Sequence, residues 1–157
     1  STSTQFDITQ TSIGQGKTTV SPAHMAMIAS AIANDGVLMK PYIIDRVENS
    51  SSNIVKQTKE QKYKTLMTSD EAKQLRKYMS AVCTYGTGKI MANANYKAYG
   101  KTGTAEIDKK DNVNSWFVGF AKKGKKKIAI AVVIEKMPEG SNSAVNCAKE
   151  IFDNYFD

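Results

Sequence analysis

The chain has 157 residues, the length of one domain or of part of a larger one. With 41% hydrophobic residues and a net charge of +7, its composition excludes a fully disordered chain. Its longest apolar run, Ile128 to Ile134, is far shorter than the roughly 20 residues of a membrane-spanning helix, which excludes a membrane protein. The first ten residues contain neither a basic nor an apolar segment, so they are not a signal peptide, and we expect that the chain was cut from a longer protein.

The positive charge is spread along the chain, with one cluster in the lysine-rich run 122–127. Such a run between two apolar segments is typical of a solvated hairpin tip. Arginine forks, which read bases specifically, are scarce because only two of the 22 basic residues are Arg. We therefore predict no nucleic-acid partner, and a basic nucleic-acid-binding module remains the weaker alternative.

The residues that usually bind metals are few and far apart. Cys83 and Cys147 form no CxxC pair and are predicted to be free, buried thiols on helices. His24, the single histidine, lies in a helical pattern and is predicted to be structural. We therefore expect no metal site.

The first predicted elements are a polar linker over 1–12 and a helix over 22–34. Ser21 is placed to cap this helix and Pro22 occupies its first position, where its missing N–H costs nothing. The sequence Asn34-Asp35-Gly36 ends the helix.

A hairpin and a second helix follow. Residues 41–48 and 54–58 are predicted to pair around the polar turn 49–53. A helix over 69–84 has acidic residues in its first turn and an apolar face that comprises Leu75, Tyr78, Met79, Val82 and Cys83.

The second half of the chain predicts an antiparallel β-meander with strands over 97–107, 113–121 and 127–135. The third strand is almost entirely Ile, Ala and Val, so both of its faces should be covered. A last helix over 142–156, capped by Ser141 or Asn142, should turn Val145, Ala148, Ile151, Phe152 and Tyr155 inward. The predicted fold class is α+β, with the meander packed against the three helices.

Two common catalytic or binding motifs are incomplete. Segments 16–18 and 100–102 match the end of a phosphate-binding loop, but the leading glycine is replaced by Thr11 and Asn95. A conventional serine hydrolase needs a base beside its nucleophile, and His24 is the only imidazole. Neither reading is adopted.

The segment Lys101-Thr102-Gly103-Thr104 has more specific chemistry. A lysine on a strand that borders a cleft supplies a fixed positive charge for a carboxylate, and the two threonines add hydroxyl groups. Gly103 allows the backbone of a ligand to approach closely. An N–H of Thr104 could stabilise an oxyanion.

The neighbouring segments give this motif a context. With them the chain resembles the transpeptidase domain of penicillin-binding proteins, most closely the class B enzymes, in which K-T-G is one of three motifs. The matching segments occur in order: Ile13-Gly14-Gln15-Gly16, Val20 to Gly36, Gly86-Thr87-Gly88, Gly100 to Glu106 and Ser115 to Ala121.

The other two motifs of that family, S-x-x-K and S-x-N, are not matched. No serine of the chain has a lysine three positions later. Ser51-Ser52-Asn53 fits S-x-N formally, but it lies in the predicted hairpin turn and on the wrong side of the Ile13–Gly16 segment, so we consider it a chance match. The resemblance therefore implies that residues 13–157 are the C-terminal part of a transpeptidase domain, without the nucleophile and inactive alone.

The resemblance implies a role for each matched residue. Lys101, Thr102 and Thr104 would receive the carboxylate of a D-Ala-D-Ala stem peptide or of a β-lactam, Gly103 would line the site, and the Thr104 N–H would complete the oxyanion hole. The parent enzyme would cross-link peptidoglycan by acyl transfer, with no metal or organic cofactor. It would lie on the extracytoplasmic face of a bacterial membrane through an anchor outside this chain, the fragment itself being soluble.

The resemblance also predicts an open strand edge. In the family, the strand that corresponds to 127–135 pairs with a strand from the N-terminal part of the domain, which is missing here. An exposed apolar edge recruits other chains, so we expect self-association or a swapped arrangement. An alternative function is that of a non-catalytic relative, which senses β-lactams or serves as a scaffold.

Overall fold

The computed structural model describes residues 8–9, 19–107, 112–138, 140 and 143–157. Within these ranges the helices are α1 (Pro22–Ala33), α2 (Ser69–Thr84) and α3 (Ser143–Phe156), with a short 3₁₀ helix at Lys89–Met91. All three predicted helices are confirmed to within one residue at each end. Of the predicted linker 1–12 only residues 8 and 9 are described, and both are helical. The linker boundary therefore stays a prediction, and the cap at Ser141 or Asn142 lies outside the described residues.

The strands form three antiparallel sheets, as the α+β prediction requires. Two are small: β1 (Val37–Met39) pairs with β4 (Lys62–Thr65), and β2 (Arg46–Glu48) pairs with β3 (Ile54–Gln57). The third is the predicted meander, in the order β5-β6-β7, with β5 at Lys97–Glu106, β6 at Asn112–Lys123 and β7 at Lys126–Pro138.

Local capping determines where the first two helices begin. The Ser21 hydroxyl accepts a hydrogen bond from the His24 N–H at 3.2 Å, as the sequence predicted. Thr68 and Glu71 form a capping box, in which each side chain accepts from the other residue's backbone N–H. The hydrogen bond from the Thr68 backbone lowers the pKa of Glu71, because it favours the charged carboxylate.

The meander is packed between helices on both faces, and the side-chain alternation of β6 divides the core. Phe117 and Phe152, both fully buried, meet on the face covered by α3, with ring centroids 6.1 Å apart. Phe120 points to the other face and stacks on Tyr99 at 4.6 Å, next to residues of α1 and α2. Side chains that point to opposite faces of β6 thus belong to two separate hydrophobic cores.

Strand β7 is covered on both faces, in agreement with the prediction, but only partly. α1 and α3 both contact it, and every residue from Ile128 to Ile134 is half-buried. Among the strands that the structure describes, β7 has one neighbour, β6, so its other edge is unpaired. The predicted open edge is therefore present in the described part of the chain.

Two features of the first half correct the sequence-based expectation. Of the predicted strand 41–48 only the last three residues are strand, and its partner ends at Gln57. Pro41 has no N–H to donate to a ladder, and the carbonyl of Asp45 accepts from the Thr58 N–H instead. The β1–β4 pair was not predicted, because strands of three and four residues carry almost no periodicity.

Some residues expected to be inward are exposed. On α2, Ala72, Met79 and Cys83 are buried, but the Tyr78 side chain is 58% exposed. Leu75, Ile151 and Tyr155 are each about two-fifths exposed. The apolar stripes of α2 and α3 are therefore wider than the surface that the sheet covers in this chain.

The cysteines are free thiols, as predicted. Cys83 is buried in the core, and burial raises its pKa to about 11 because the thiolate would lose its hydration. Cys147 is only half-buried, less than expected.

Candidate active site

The segment 101–104 lies in the middle of β5, on the edge of the sheet. One side of the segment pairs with β6, in a register that places Lys101 opposite Val118 and Thr104 opposite Ser115. The other side meets no strand within the described residues. Lys101, Gly103 and Thr104 are exposed, so the segment is open to a ligand.

Close packing behind the segment fixes the path of the strand. Gly100 lies opposite Gly119, and the ring of Phe117 covers both. A Cβ at Gly100 would lie 2.3 Å from Cζ of Phe117, and one at Gly119 would lie 2.2 Å from the Tyr99 carbonyl oxygen. Because neither glycine carries a side chain, the Phe117 ring can lie directly over the backbone of β5 and β6 just before the exposed segment.

Lys101 brings an exposed positive charge to the edge. Its Nζ donates to the carbonyl oxygen of Thr102 at 2.5 Å, so the ammonium group lies along the strand. An ammonium group has three N–H donors, so two remain for other acceptors. The side chain can therefore bind an anion that approaches the strand edge.

Thr102 joins the strand to a second segment of the chain. Its Oγ1 lies 2.7 Å from Oγ1 of Thr87, in the turn that follows α2. This contact brings Gly86-Thr87-Gly88 beside Lys101-Thr102-Gly103, two segments that the sequence analysis matched to one family. No site role was predicted for Thr87; its place between two glycines in a matched segment was the available signal.

Gly103 and Thr104 end the exposed segment. A Cβ at Gly103 would lie 3.3 Å from Cβ of Trp116, a close contact that a small shift of the neighbouring atoms would relieve. Thr104 lies opposite Ser115, which is buried and whose Oγ accepts a hydrogen bond of 3.4 Å from the Ala144 N–H at the start of α3. This bond ties β6 to α3 directly behind the segment.

The other candidate segments lie elsewhere. Residues 100–102 are in mid-strand, not at the strand-to-helix junction of a phosphate-binding loop. Residues 51–53 occupy the β2–β3 turn, where the Asn49 side chain accepts from the Ser51 and Asn53 N–H groups. His24 is exposed in the first turn of α1.

The lysine run forms the tip of the β6–β7 hairpin, as predicted. Lys123 pairs with Lys126 across a two-residue turn, in which Gly124 has φ +58°. The tip is exposed. Across the residues with described positions, no three His, Cys, Asp or Glu side chains are placed to hold a metal ion.

Comparison with known proteins identifies the family to which this fold belongs. The family model of the penicillin-binding protein transpeptidase domain matches residues 1–156. The chain belongs to this family.

Individual relatives agree. The chain is 31% identical over 156 residues to the peptidoglycan D,D-transpeptidase MrdA of Acinetobacter baumannii, and 30% identical over 129 residues to the peptidoglycan D,D-transpeptidase PbpA of Mycolicibacterium smegmatis. These matches cover 90% and 79% of this chain but only 23% and 26% of the relatives. The chain thus spans about a quarter of their length.

A solved structure has a similar fold. The D,D-transpeptidase domain of a peptidoglycan glycosyltransferase from Eggerthella lenta superposes with a TM-score of 0.73 at 33% identity, over 87% of this chain and 33% of that one. In the part of the chain with described structure, no helix is long and apolar enough to cross a membrane.

Proposed function

We propose that this chain forms one wall of the substrate cleft of a peptidoglycan D,D-transpeptidase. In this proposal Lys101, Thr102 and Thr104 bind the carboxylate of a stem peptide that ends in D-Ala-D-Ala, or of a β-lactam. The observation that carries it is the open edge of β5, where the exposed Lys101 ammonium lies beside the Thr102–Thr87 hydroxyl pair.

A carboxylate suits this edge because it only accepts hydrogen bonds. Lys101 supplies positive charge and N–H donors, and Thr102 and Thr104 supply hydroxyl groups on a rigid strand. Hydrogen bonds to charged groups contribute about 1.5–3 kcal/mol each, so this set suffices to orient a peptide terminus. Gly103, between the two threonines, leaves room for the peptide backbone along the strand.

The chemistry that follows is acyl transfer. A serine outside this chain attacks the carbonyl carbon of the penultimate D-alanine, and the peptide C–N bond breaks as the leaving amine takes a proton. The amine of a neighbouring stem peptide then attacks the acyl-serine, restores the serine hydroxyl and forms the cross-link. The Thr104 N–H would stabilise the oxyanion in both steps.

The proposal extends to the rest of the protein. The nucleophile and the strand that covers β7 would come from the preceding part of the same domain. The whole enzyme would act at the extracytoplasmic face of a bacterial membrane, held there by an anchor outside residues 1–157. No cofactor is required for these steps.

The test uses the full-length protein that contains this chain. Lys101→Ala should lower the second-order rate of acylation by benzylpenicillin about 10- to 100-fold, since it removes a charged hydrogen-bond donor. Lys97→Ala is the matched control: Lys97 is exposed on the same strand, beside the Tyr99 ring rather than the open segment.

Three outcomes are informative. Selective loss in Lys101→Ala supports the proposal. Equal rates in wild type and Lys101→Ala contradict the role of Lys101. Reversible binding of penicillin without any covalent adduct on the full-length protein would favour a sensing or scaffold function.

A further inference from the structure

The contact between Thr87 and Thr102 links two segments of the candidate site, because the two residues are fifteen positions apart in the chain. The Oγ1–Oγ1 distance of 2.7 Å is the usual length of an O–H···O hydrogen bond. Thr102 is half-buried and Thr87 is exposed, so the pair lies at the surface of the candidate site. Both hydroxyl groups are therefore close to the strand edge where a ligand would bind.

The turn that carries Thr87 is held firmly against α2. The Gly86 N–H donates to the Ala81 carbonyl at 3.2 Å, and the Gly88 N–H donates to the Val82 carbonyl at 3.0 Å. A Cβ at Gly86 would lie 2.9 Å from Cα of Val82. Because both flanking glycines pack against the end of α2, the position of Thr87 is set by backbone contacts rather than by its own side chain.

An anion bound to Thr102 would determine which of the two hydroxyl groups donates the hydrogen bond between them. A threonine hydroxyl has one hydrogen and can accept through its lone pairs, and either member of this pair can donate. If Thr102 donates to a carboxylate, its only hydrogen is used, so the Thr87 hydroxyl must then donate to Thr102. A chain of donors from Thr87 through Thr102 to the anion polarises each bond and strengthens the last.

We propose that Thr87 is a positioning residue that orients the Thr102 hydroxyl toward the substrate carboxylate. This inference rests on the proposed function, because it assigns to Thr87 an effect on a contact that Thr102 makes. Thr87 acts through Thr102 and is not itself a catalytic residue.

The experiment is a double-mutant cycle on the full-length protein, read as the second-order rate of acylation by benzylpenicillin. Thr87→Val should slow acylation about 3- to 10-fold, as expected for loss of one neutral hydrogen bond, and Thr87→Ser should remain within about twofold of wild type. Adding Thr87→Val to Thr102→Val should cause no further loss, because the partner is already absent.

Two further measurements separate positioning from general damage. The methyl ester of benzylpenicillin lacks the carboxylate, so Thr87→Val should react with it as fast as wild type does. Thr84→Val is the matched control: Thr84 precedes the same turn and its hydroxyl donates to the Ser80 carbonyl instead. It should leave acylation unchanged, and all variants should keep the melting temperature of wild type within a few degrees.

The inference is overturned if Thr87→Val acylates at the wild-type rate while Thr102→Val is slow, if the two losses multiply in the double variant, or if the methyl ester shows the same loss. If Thr102→Val acylates normally, the proposed role of Thr102 fails and the role of Thr87 fails with it. If Thr102→Val and Thr87→Val both acylate slowly and Thr87→Ser acylates at nearly the wild-type rate, the proposed roles of Thr102 and Thr87 are both supported.

Discussion

Gly100 and Phe117 are in contact such that no side chain fits between them: a Cβ on Gly100 would lie 2.3 Å from Cζ and 2.4 Å from Cε2 of Phe117. Phe117 is fully buried and packs against Phe152 of α3 on the same face. Its ring therefore cannot move away without disturbing the core. This pair seals the core directly beneath the strand that carries Lys101.

Gly100→Ala should lower the free energy of unfolding by about 3 kcal/mol, the upper end of the range for overpacking a well-packed core. Gly103→Ala is the control on the same strand, because its Cβ would meet one atom at 3.3 Å and the site is exposed. It should cost less than about 1 kcal/mol. Urea unfolding of the two variants measures both values, and equal losses would contradict the packing argument.

The isolated chain should form no covalent adduct with penicillin. No serine in it has a lysine three positions later, so no hydroxyl has the proton acceptor that the family's nucleophile uses. Intact mass spectrometry after incubation with benzylpenicillin measures this directly, with the full-length protein as the positive control. A stoichiometric mass increase on the isolated chain would show that the prediction is wrong.

Strand β7 should mediate self-association of the isolated chain. Among the described strands it pairs only with β6, it carries the half-buried apolar run from Ile128 to Ile134, and an unpaired edge of this kind pairs readily with another strand. Light scattering across a dilution series should show dimers or larger species at high concentration. Hydrogen exchange supplies an internal control: amides of β7 should gain protection with concentration, and those of the charged β5 edge should not.

A monomer at every concentration would count against this expectation. A concentration-dependent gain of protection on β5 alone would place the contact at the other edge of the sheet.

Stability should depend on the charge of Asp153. Its carboxylate accepts hydrogen bonds from Lys149 and, at 2.7 Å, from the Tyr96 hydroxyl. These bonds, the one from Lys149 above all, lower its pKa, whereas burial and the same carboxylate raise the pKa of Tyr96. A lowered pKa contributes stability above the unfolded value of about 3.9, and this stability is lost as the pH falls through the folded value.

Asp153→Asn should therefore lower the free energy of unfolding at pH 7 by about 1 kcal/mol, and the difference from wild type should shrink below about pH 4. Glu150→Gln removes an exposed carboxylate from the same helix and should have little effect at either pH. Chemical unfolding between pH 3 and 7 checks the slope. A difference that stays constant over this range would exclude the charge of Asp153 as the cause.

Much of the secondary structure was predictable because its signals are local. Ser21 and Pro22 mark the start of α1, and Thr68 with Glu71 marks the start of α2, through hydrogen bonds that span three residues. The meander strands are long and regular enough for their pattern to be read directly. The short strands β1 and β4 were not predicted, because their pairing joins Val37 to Thr65, 28 positions apart, and no local pattern marks it.

The sequence by itself determined the helix starts, the three-stranded meander and the presence of Lys101-Thr102-Gly103-Thr104 on one strand, since each depends on neighbouring residues. Only the tertiary structure decided that Thr87 meets Thr102 and that the apolar stripes of α2 and α3 remain partly uncovered. These features depend on which distant elements come together, and side-chain periodicity does not contain that information.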